Sequence, residues 1–254
     1  AAIASRHTAG IATFCVGFDS PSMPSELVVA RATASLIGSR HHEVILGPAD
    51  VLQIWEQWLR VADRPSIDGF NTFLVTKAVK DAGVTVACSG LGADEFFGGY
   101  SNFKRISRIR RMLSVWAKTP RAARKTLLGG ISRTVPTRYR HRLTNLAVSR
   151  GDAVDLAFAM RQILTESQLQ TLGLKPQAIG LRPDFVPQEL YDICGAGPTD
   201  AFAAMQRVEA YGYMGNTLLR DSDANSMAHS VELRVPFLSK AVVEQAAKTP
   251  GRIH

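Results

Sequence analysis

The chain has 254 residues, 46% of them apolar, and a mean hydropathy near zero. That is the balance of a globular chain long enough to close a sizeable core in one large or two modest domains. No window approaches the roughly 18 consecutive apolar residues of a membrane span, and no charged segment followed by an apolar one opens the chain as a secretory leader would, so a cytoplasmic protein is expected. The net charge of +8 is local: from Lys104 to Arg150 every charged side chain is Lys or Arg, which leaves the remainder mildly acidic. A solvated basic helical face is a commoner origin of such a run than a nucleic-acid surface.

Residues 1–10 have the pattern of the interior and end of a helix, and residues 11–18 that of a strand in which Gly17 lets a flat ring or a backbone approach closely. Ser25 is placed to cap a helix whose Leu27, Ala30, Ala34 and Ile37 recur at helical spacing until Gly38 ends it. A short strand over 42–46 follows. His41 and His42 stand on opposite faces there and are not expected to chelate one ion. Asp50 is expected to cap the next helix, with Val51, Ile54, Trp55, Trp58 and Leu59 as its core-facing stripe, and Asn71 to cap a helix running to Gly83. Between these helices Ser66, Asp68, Asn71 and Thr72 are candidate contacts for a small substrate, although ordinary turn and capping chemistry explains them equally well. The alternation of strand and helix predicts an α/β fold built on a doubly wound parallel sheet with right-handed crossovers.

Residues 84–88 are a short apolar, β-branched run suited to a strand covered on both faces. The run breaks at Ser89-Gly90. Gly90 and Gly92 leave room for a phosphate to approach backbone N–H groups, and Asp94 and Glu95 follow at the first turn of a helix, where hard oxygen ligands suit Mg²⁺. The bland alternative is that the acids complement the helix dipole and the glycines make a turn. Cys15, Cys88 and Cys194 are odd in number and widely spaced, and read as reduced thiols, with Cys88 packed at the end of its strand.

Beyond Tyr100 the pattern turns helical and basic, punctuated by Gly129, Gly130 and Pro136, with no convincing strand. Helices are expected over 152–164, 199–219 and 240–248, the last capped by Ser239, with a Pro- and Gly-rich loop over 175–198. Trp116 and Tyr139 are the main aromatics of the basic segment, too few for a single-strand stacking surface. The chain thus divides into an α/β part over 1–103 and a mostly helical part over 104–254.

The string Ser89-Gly-Leu-Gly-Ala-Asp-Glu-Phe-Phe-Gly-Gly-Tyr100 resembles the second signature of the asparagine synthase family, whose synthetase domain belongs to the ATP pyrophosphatase group. Independently, residues 221–239 resemble the family's later block, D-x-x-SMA-x-x-x-E-x-R-x-PFL, on Asp223, Ser226, Met227, Glu232 and Arg234. The resemblance implies a PP-loop-type sheet (adenine nucleotide alpha hydrolase-like) with a helical C-terminal lobe, and ATP and Mg²⁺ as cofactors. It also implies a reaction in which a carboxylate, aspartate or a related one, is adenylated and then amidated by ammonia. Matched position by position, Val16 with Gly17 lies at adenine, Ser89, Gly90 and Gly92 beside the nucleotide, and Asp94 is the metal- or pyrophosphate-binding acid with Glu95 next to it. Tyr100 lines the pocket or is purely structural, and Glu232 and Arg234 form an ion pair. Val16, Ser89, Gly90 and Asp94 are expected to converge on one crevice.

There are departures from the family pattern. Leu91 stands where asparagine-forming members often carry Glu, which opens the choice of acceptor to other carboxylates, including ring-closing reactions. No SGG-x-DS PP-loop occurs in this sequence, nor does a glutaminase domain with an N-terminal cysteine. Both are expected upstream, with the glutaminase as the ammonia source, and this chain alone is expected to catalyse nothing measurable. The resemblance leaves a homodimer open and gives no reason to expect a membrane partner. The non-enzymatic alternative is an RNA-binding module acting through the basic 104–150 segment, since other PP-loop proteins modify tRNA, although a nucleic-acid partner is the less expected reading.

Overall fold

The computed structural model describes residues 1–19, 26–66, 68–106, 119–132, 153–164, 166–182, 186–195 and 200–249. α1 (Ala2–His7) leads into β1 (Ala12–Phe18), α2 (Leu27–Ile37) and β2 (Arg40–Leu46). The two strands pair in parallel, from Ala12 opposite Arg40 to Phe18 opposite Leu46. α2 ends at Gly38, whose φ of 67° is the left-handed cap conformation that costs a residue with a Cβ most. Ser25 lies outside the described residues. A Cβ on Gly17 would lie 2.4 Å from Leu27 Cδ1, so the close approach expected at this glycine is made by an aliphatic side chain of α2. His41 Nδ1 lies 2.9 Å from Thr13 Oγ1, while the neighbouring His42 stacks on Phe14 with centroids 4.9 Å apart.

α3 (Pro48–Val61) is capped by Gly47, not Asp50. Asp50 sits at the third helical position and accepts the Gly47 N–H at 2.9 Å, the reciprocal half of a capping box. Of its apolar stripe Trp58 is buried, whereas Trp55 and Leu59 are exposed. α4 (Gly69–Asp81) begins two residues before Asn71, with Asp68 at its cap position. The capping bond comes instead from Ser66, whose Oγ accepts the Gly69 N–H at 2.8 Å. β3 (Val86–Cys88) is only three residues long, with Val86 and Cys88 exposed. Among the described residues neither a strand covered on both faces nor a packed Cys88 thiol is found: β3 is too short to carry a covered face, and the side chains of Val86 and Cys88 stay exposed.

After β3 come α5 (Ala93–Phe97), a helical stretch at 101–106, α6 (Arg121–Ser132), α7 (Ala153–Arg161) and α8 (Glu166–Thr171). A 3₁₀ turn at Pro176–Ile179 follows, then α9 (Gln188–Gly195) and α10 (Ala201–Arg207). α6 continues through Gly129 and Gly130, which were expected to interrupt it. The rest of the basic segment, with Trp116, Pro136 and Tyr139, lies outside the described residues. α9 falls inside the expected 175–198 loop; it forms because Cys194 is buried and Leu190 packs against the same core, at the four-residue spacing of one helix face. Asp200 caps α10 by accepting the Ala203 N–H at 3.1 Å. The helix expected over 199–219 then widens into a π-helix at Val208–Leu218. The core of this part gathers Phe103, Ile106, Leu156, Cys194, Met205 and Val208. Burial pushes the Cys194 thiol up to about 11, leaving it protonated and inert.

α11 (Leu219–Met227), β4 (Glu232–Arg234), a 3₁₀ turn at Pro236–Leu238 and α12 (Lys240–Lys248) complete the described chain. Ser239 occupies the cap position of α12 but makes no side-chain capping bond. β4, not expected from the sequence, pairs in parallel with β3 from Val86 opposite Glu232 to Cys88 opposite Arg234. The described strands therefore form two two-stranded parallel sheets, β1–β2 and β3–β4, where one wound sheet was expected. By packing, Ala1–Ser89 with Thr217–Pro236 make one compact unit, and Gly90–Asn216 with Phe237–His254 another. No helix among the described residues is long and apolar enough to cross a membrane.

In the first unit α11 is tied to α3 and α4 through Asn225. Its Oδ1 accepts the Trp58 Nε1–H at 2.7 Å, its Nδ2 donates to the Asp221 carbonyl at 2.6 Å, and its own carbonyl accepts the Thr76 hydroxyl at 3.3 Å. All of these groups are buried. Asn225→Ala strands the indole N–H, and the variant is expected to lose about 2 kcal/mol, seen as a midpoint lowered by about 6 °C in thermal unfolding. An unchanged midpoint would remove Asn225 from this role.

His229 gives the same unit a pH response. Its ring packs on Phe73 at 4.2 Å, and Nε2 is buried with no hydrogen-bond partner among the described residues. Burial lowers its pKa below the ordinary 6.5. The unfolded chain therefore binds a proton on acidification before the folded one does, and stability present above 6.5 is lost as pH falls below it. His229→Phe, which keeps a ring against Phe73, is expected to flatten the decline in unfolding temperature between about pH 7 and 5.5. Parallel declines in both proteins would place the acid sensitivity elsewhere.

Candidate functional site

The signature loop starts where β3 ends. The Ser89 N–H donates to the Arg234 carbonyl at 2.8 Å, closing the parallel ladder. Gly90 has open space where a Cβ would stand, and its carbonyl accepts the Ala93 N–H at 3.2 Å. Gly92 has φ 92°, and a Cβ there would meet Leu238 at 2.7 Å, so this position has both a conformational and a packing reason to be glycine.

α5 places Asp94 and Glu95 in its first turn, as expected, and turns them to different environments. Asp94 is exposed. Its carbonyl accepts the Gly98 and Gly99 N–H groups at 3.0 and 3.1 Å, folding the Gly-Gly segment back beneath its own side chain. A Cβ on Gly99 would stand 1.9 Å from Asp94 Oδ1 and 3.2 Å from Asp94 Cα. The missing side chain at Gly99 is what lets this carboxylate take its place.

Glu95 is 1% exposed and accepts the Tyr100 hydroxyl at 2.6 Å. Burial first, then the hydrogen bond and charge of Glu95, push the Tyr100 phenol well above its ordinary value. Tyr100 is therefore a fixed donor, not a base. Its ring faces the Arg161 guanidinium at 4.9 Å, and the Tyr213 ring faces the same guanidinium at 3.9 Å. Arg161 Nε reaches both oxygens of the fully buried Glu209 at 2.8 and 2.7 Å, and Nη2 adds a further bond to Oε2. Burial raises Glu209, and the Arg161 contacts oppose it. Burial also works against the charge of Arg161, but the bonds to Glu209 outweigh it and hold the guanidinium protonated. Sequence reasoning found Glu95 and Tyr100 but not Arg161 or Glu209. The available signal was an acid within the apolar run Val208-Glu-Ala-Tyr-Gly-Tyr-Met214.

A second polar cluster lies in the first unit. Asp221, 3% exposed, accepts the Ser66 hydroxyl at 2.5 Å and Arg64 Nη2 at 3.3 Å, and Arg64 also donates to the Thr217 carbonyl at 3.2 Å. Ser66, a candidate substrate contact, is thus engaged by Asp221 and by the cap of α4. Asn71 is exposed, Asp68 at the cap position of α4 and Thr72 on its first turn are partly buried, and Val16 is partly buried on β1 opposite Val44. Glu232 and Arg234 do pair at 2.8 Å, but both are more than half exposed, where an ion pair adds little to stability. In the later block Ser226 is buried, whereas Asp223 and Met227 are exposed.

The family model described as asparagine synthase matches residues 1–254. A Bacillus subtilis protein, glutamine-hydrolyzing asparagine synthetase 1, is 29% identical over 99% of this chain and 38% of its own length. A Mycobacterium tuberculosis protein provisionally named as a glutamine-hydrolyzing asparagine synthetase is 28% identical over 99% of this chain and 37% of its own. An Arabidopsis thaliana glutamine-hydrolyzing asparagine synthetase 3 is 30% identical over a shorter stretch, 37% of this chain and 16% of its own. The chain spans less than two-fifths of the length of the first two relatives. With a family match from the first residue to the last and both signature blocks present, the chain belongs to the asparagine synthase family.

Proposed function

We propose that the chain is the synthetase portion of a glutamine-dependent asparagine synthase, on a PP-loop-type α/β fold, converting aspartate, ATP and ammonia to asparagine, AMP and pyrophosphate. The observation that carries the reading is the exposed Asp94 carboxylate seated over Gly99 inside the family signature. A side-chain oxygen of the aspartate substrate attacks the α-phosphorus of ATP, the bond from that phosphorus to the oxygen bridging the α- and β-phosphates breaks, and pyrophosphate leaves with that oxygen. Ammonia then attacks the acyl carbon, AMP leaves with the oxygen that joined it to the acyl group, and the surplus proton passes to solvent.

Asp94 supplies a solvent-exposed hard oxygen. No group of three or more His, Cys, Asp or Glu among the described residues could hold a metal ion. A single carboxylate suits Mg²⁺, which keeps several waters and takes its other ligands from substrate phosphates. Bound there, Mg²⁺ would neutralise charge on the departing pyrophosphate. In this reading Asp94 orients the polyphosphate, Glu95 and Tyr100 fix the helix that carries it, Gly90 leaves the loop backbone open to phosphate oxygens, and Gly92 makes the left-handed turn packed on Leu238 that shapes the loop for them. Val16 with Gly17 and Ser89 serve the nucleoside end, and ammonia comes from a glutaminase domain.

The test is pyrophosphate release by the full-length protein given ATP, Mg²⁺ and ammonium, with and without aspartate. Release that requires aspartate and matches asparagine formed mole for mole is expected, with Leu91 tolerated. Release driven by another carboxylate and not by aspartate would overturn the choice of acceptor.

A further inference from the structure

We infer that Arg161 is a positioning residue for the signature helix, acting through Tyr100 on Glu95 and hence on the adjoining Asp94; this rests on the proposed synthetase reaction. The contacts form one series within the second unit. Glu209, on the π-helix, is completely buried and grips the Arg161 guanidinium with both oxygens. The guanidinium lies against the Tyr100 and Tyr213 rings, and the Tyr100 hydroxyl donates to Glu95 at 2.6 Å.

Each member is fixed by the next. A buried carboxylate such as Glu95 needs a donor, and a phenol supplies one only if its ring is held. Arginine holds a ring face by a cation–π contact while its planar fork engages a carboxylate, which the point charge of lysine does not reproduce. Glu209 and Tyr213 come from a π-helical stretch, a form that recurs at functional sites. Gln206 makes a second anchor, its Nε2 donating to the Phe96 carbonyl at 2.8 Å. α5 has only five residues, too few to hold its own geometry. The direction of the Asp94 carboxylate is therefore set by these contacts from α7, α10 and the π-helix.

A salt bridge that merely stabilises can be replaced by apolar residues without functional loss, and this separates the two roles. The variants are Arg161→Met/Glu209→Met, Tyr100→Phe and the triple combination, in the full-length protein. Positioning predicts that the double variant unfolds near the wild-type temperature yet loses about 100-fold in kcat with KM for aspartate within a few-fold. Tyr100→Phe should show the same split, and the triple variant should lose no more than the double. Hydrogen exchange in the peptide spanning residues 90–100 should quicken in all three, with core peptides of α7 and α10 unchanged. A double variant with wild-type kcat and unchanged exchange at 90–100 would overturn the inference, as would additive losses in the triple variant. If the wild type itself releases no pyrophosphate with aspartate, the reading of function fails, and the exchange at 90–100 alone decides whether Arg161 positions the helix.

Discussion

Asp94→Asn in the full-length protein is expected to lower aspartate-dependent pyrophosphate release by on the order of 10²–10³-fold while leaving the fold intact. The amide keeps the size of the carboxylate and the backbone bonds to Gly98 and Gly99, which come from the Asp94 carbonyl and not from its side chain. What it removes is the charge. An exposed neutral oxygen is a poor ligand for a hard cation and gives no balance to a positively charged ion beside a triphosphate. Unfolding temperature measured alongside should stay within a degree or two, because surface substitutions without buried partners shift stability little. A variant that retains activity within a few-fold would remove Asp94 from the polyphosphate site.

Gly99→Ala is the second large effect, and it arises from space alone. The new methyl group would fall 1.9 Å from Asp94 Oδ1 and 2.7 Å from Cγ, so the Asp94 side chain must rotate away. The backbone contact to Asp94 Cα, at 3.2 Å, is tight but demands only a small adjustment. The expected result is a loss of about 100-fold in turnover, the scale of an ångström-level misplacement, with a modest fall in stability. Gly98→Ala is the instructive contrast. There φ is 74°, and the Cβ would strike the Phe202 ring at 2.7 Å, so that variant should lose stability as well as activity. If Gly99→Ala keeps full activity, the location of the Asp94 carboxylate over this glycine does not matter to the reaction.

The features legible in the sequence are those decided locally. Gly38 ends α2 because a left-handed residue is needed there, Ser239 sits at the cap of α12, and the first turn of α5 holds Asp94 and Glu95. The two signature strings carried the family. What stayed hidden depends on partners far away in the chain. β4 is a strand because β3 lies alongside it; three residues reading Glu-Leu-Arg have no periodicity of their own. Asp50 was placed one role away from its true one, since a capping acid can serve from the cap or from the third position. Glu95 and Asp94 are neighbours of one chemical type, yet one faces solvent and the other is buried against Tyr100. Only tertiary packing, with Arg161 and Glu209 behind that tyrosine, separates their roles.

The measurement that tests the proposed reaction most directly follows an oxygen atom. The full-length protein is given ATP, Mg²⁺, ammonium and aspartate labelled with ¹⁸O in its side-chain carboxylate, and the AMP is isolated for mass analysis. Attack by that carboxylate on the α-phosphorus leaves one labelled oxygen on the phosphate of AMP for each asparagine made. Unlabelled AMP, or label appearing in inorganic phosphate with ADP, would contradict the account.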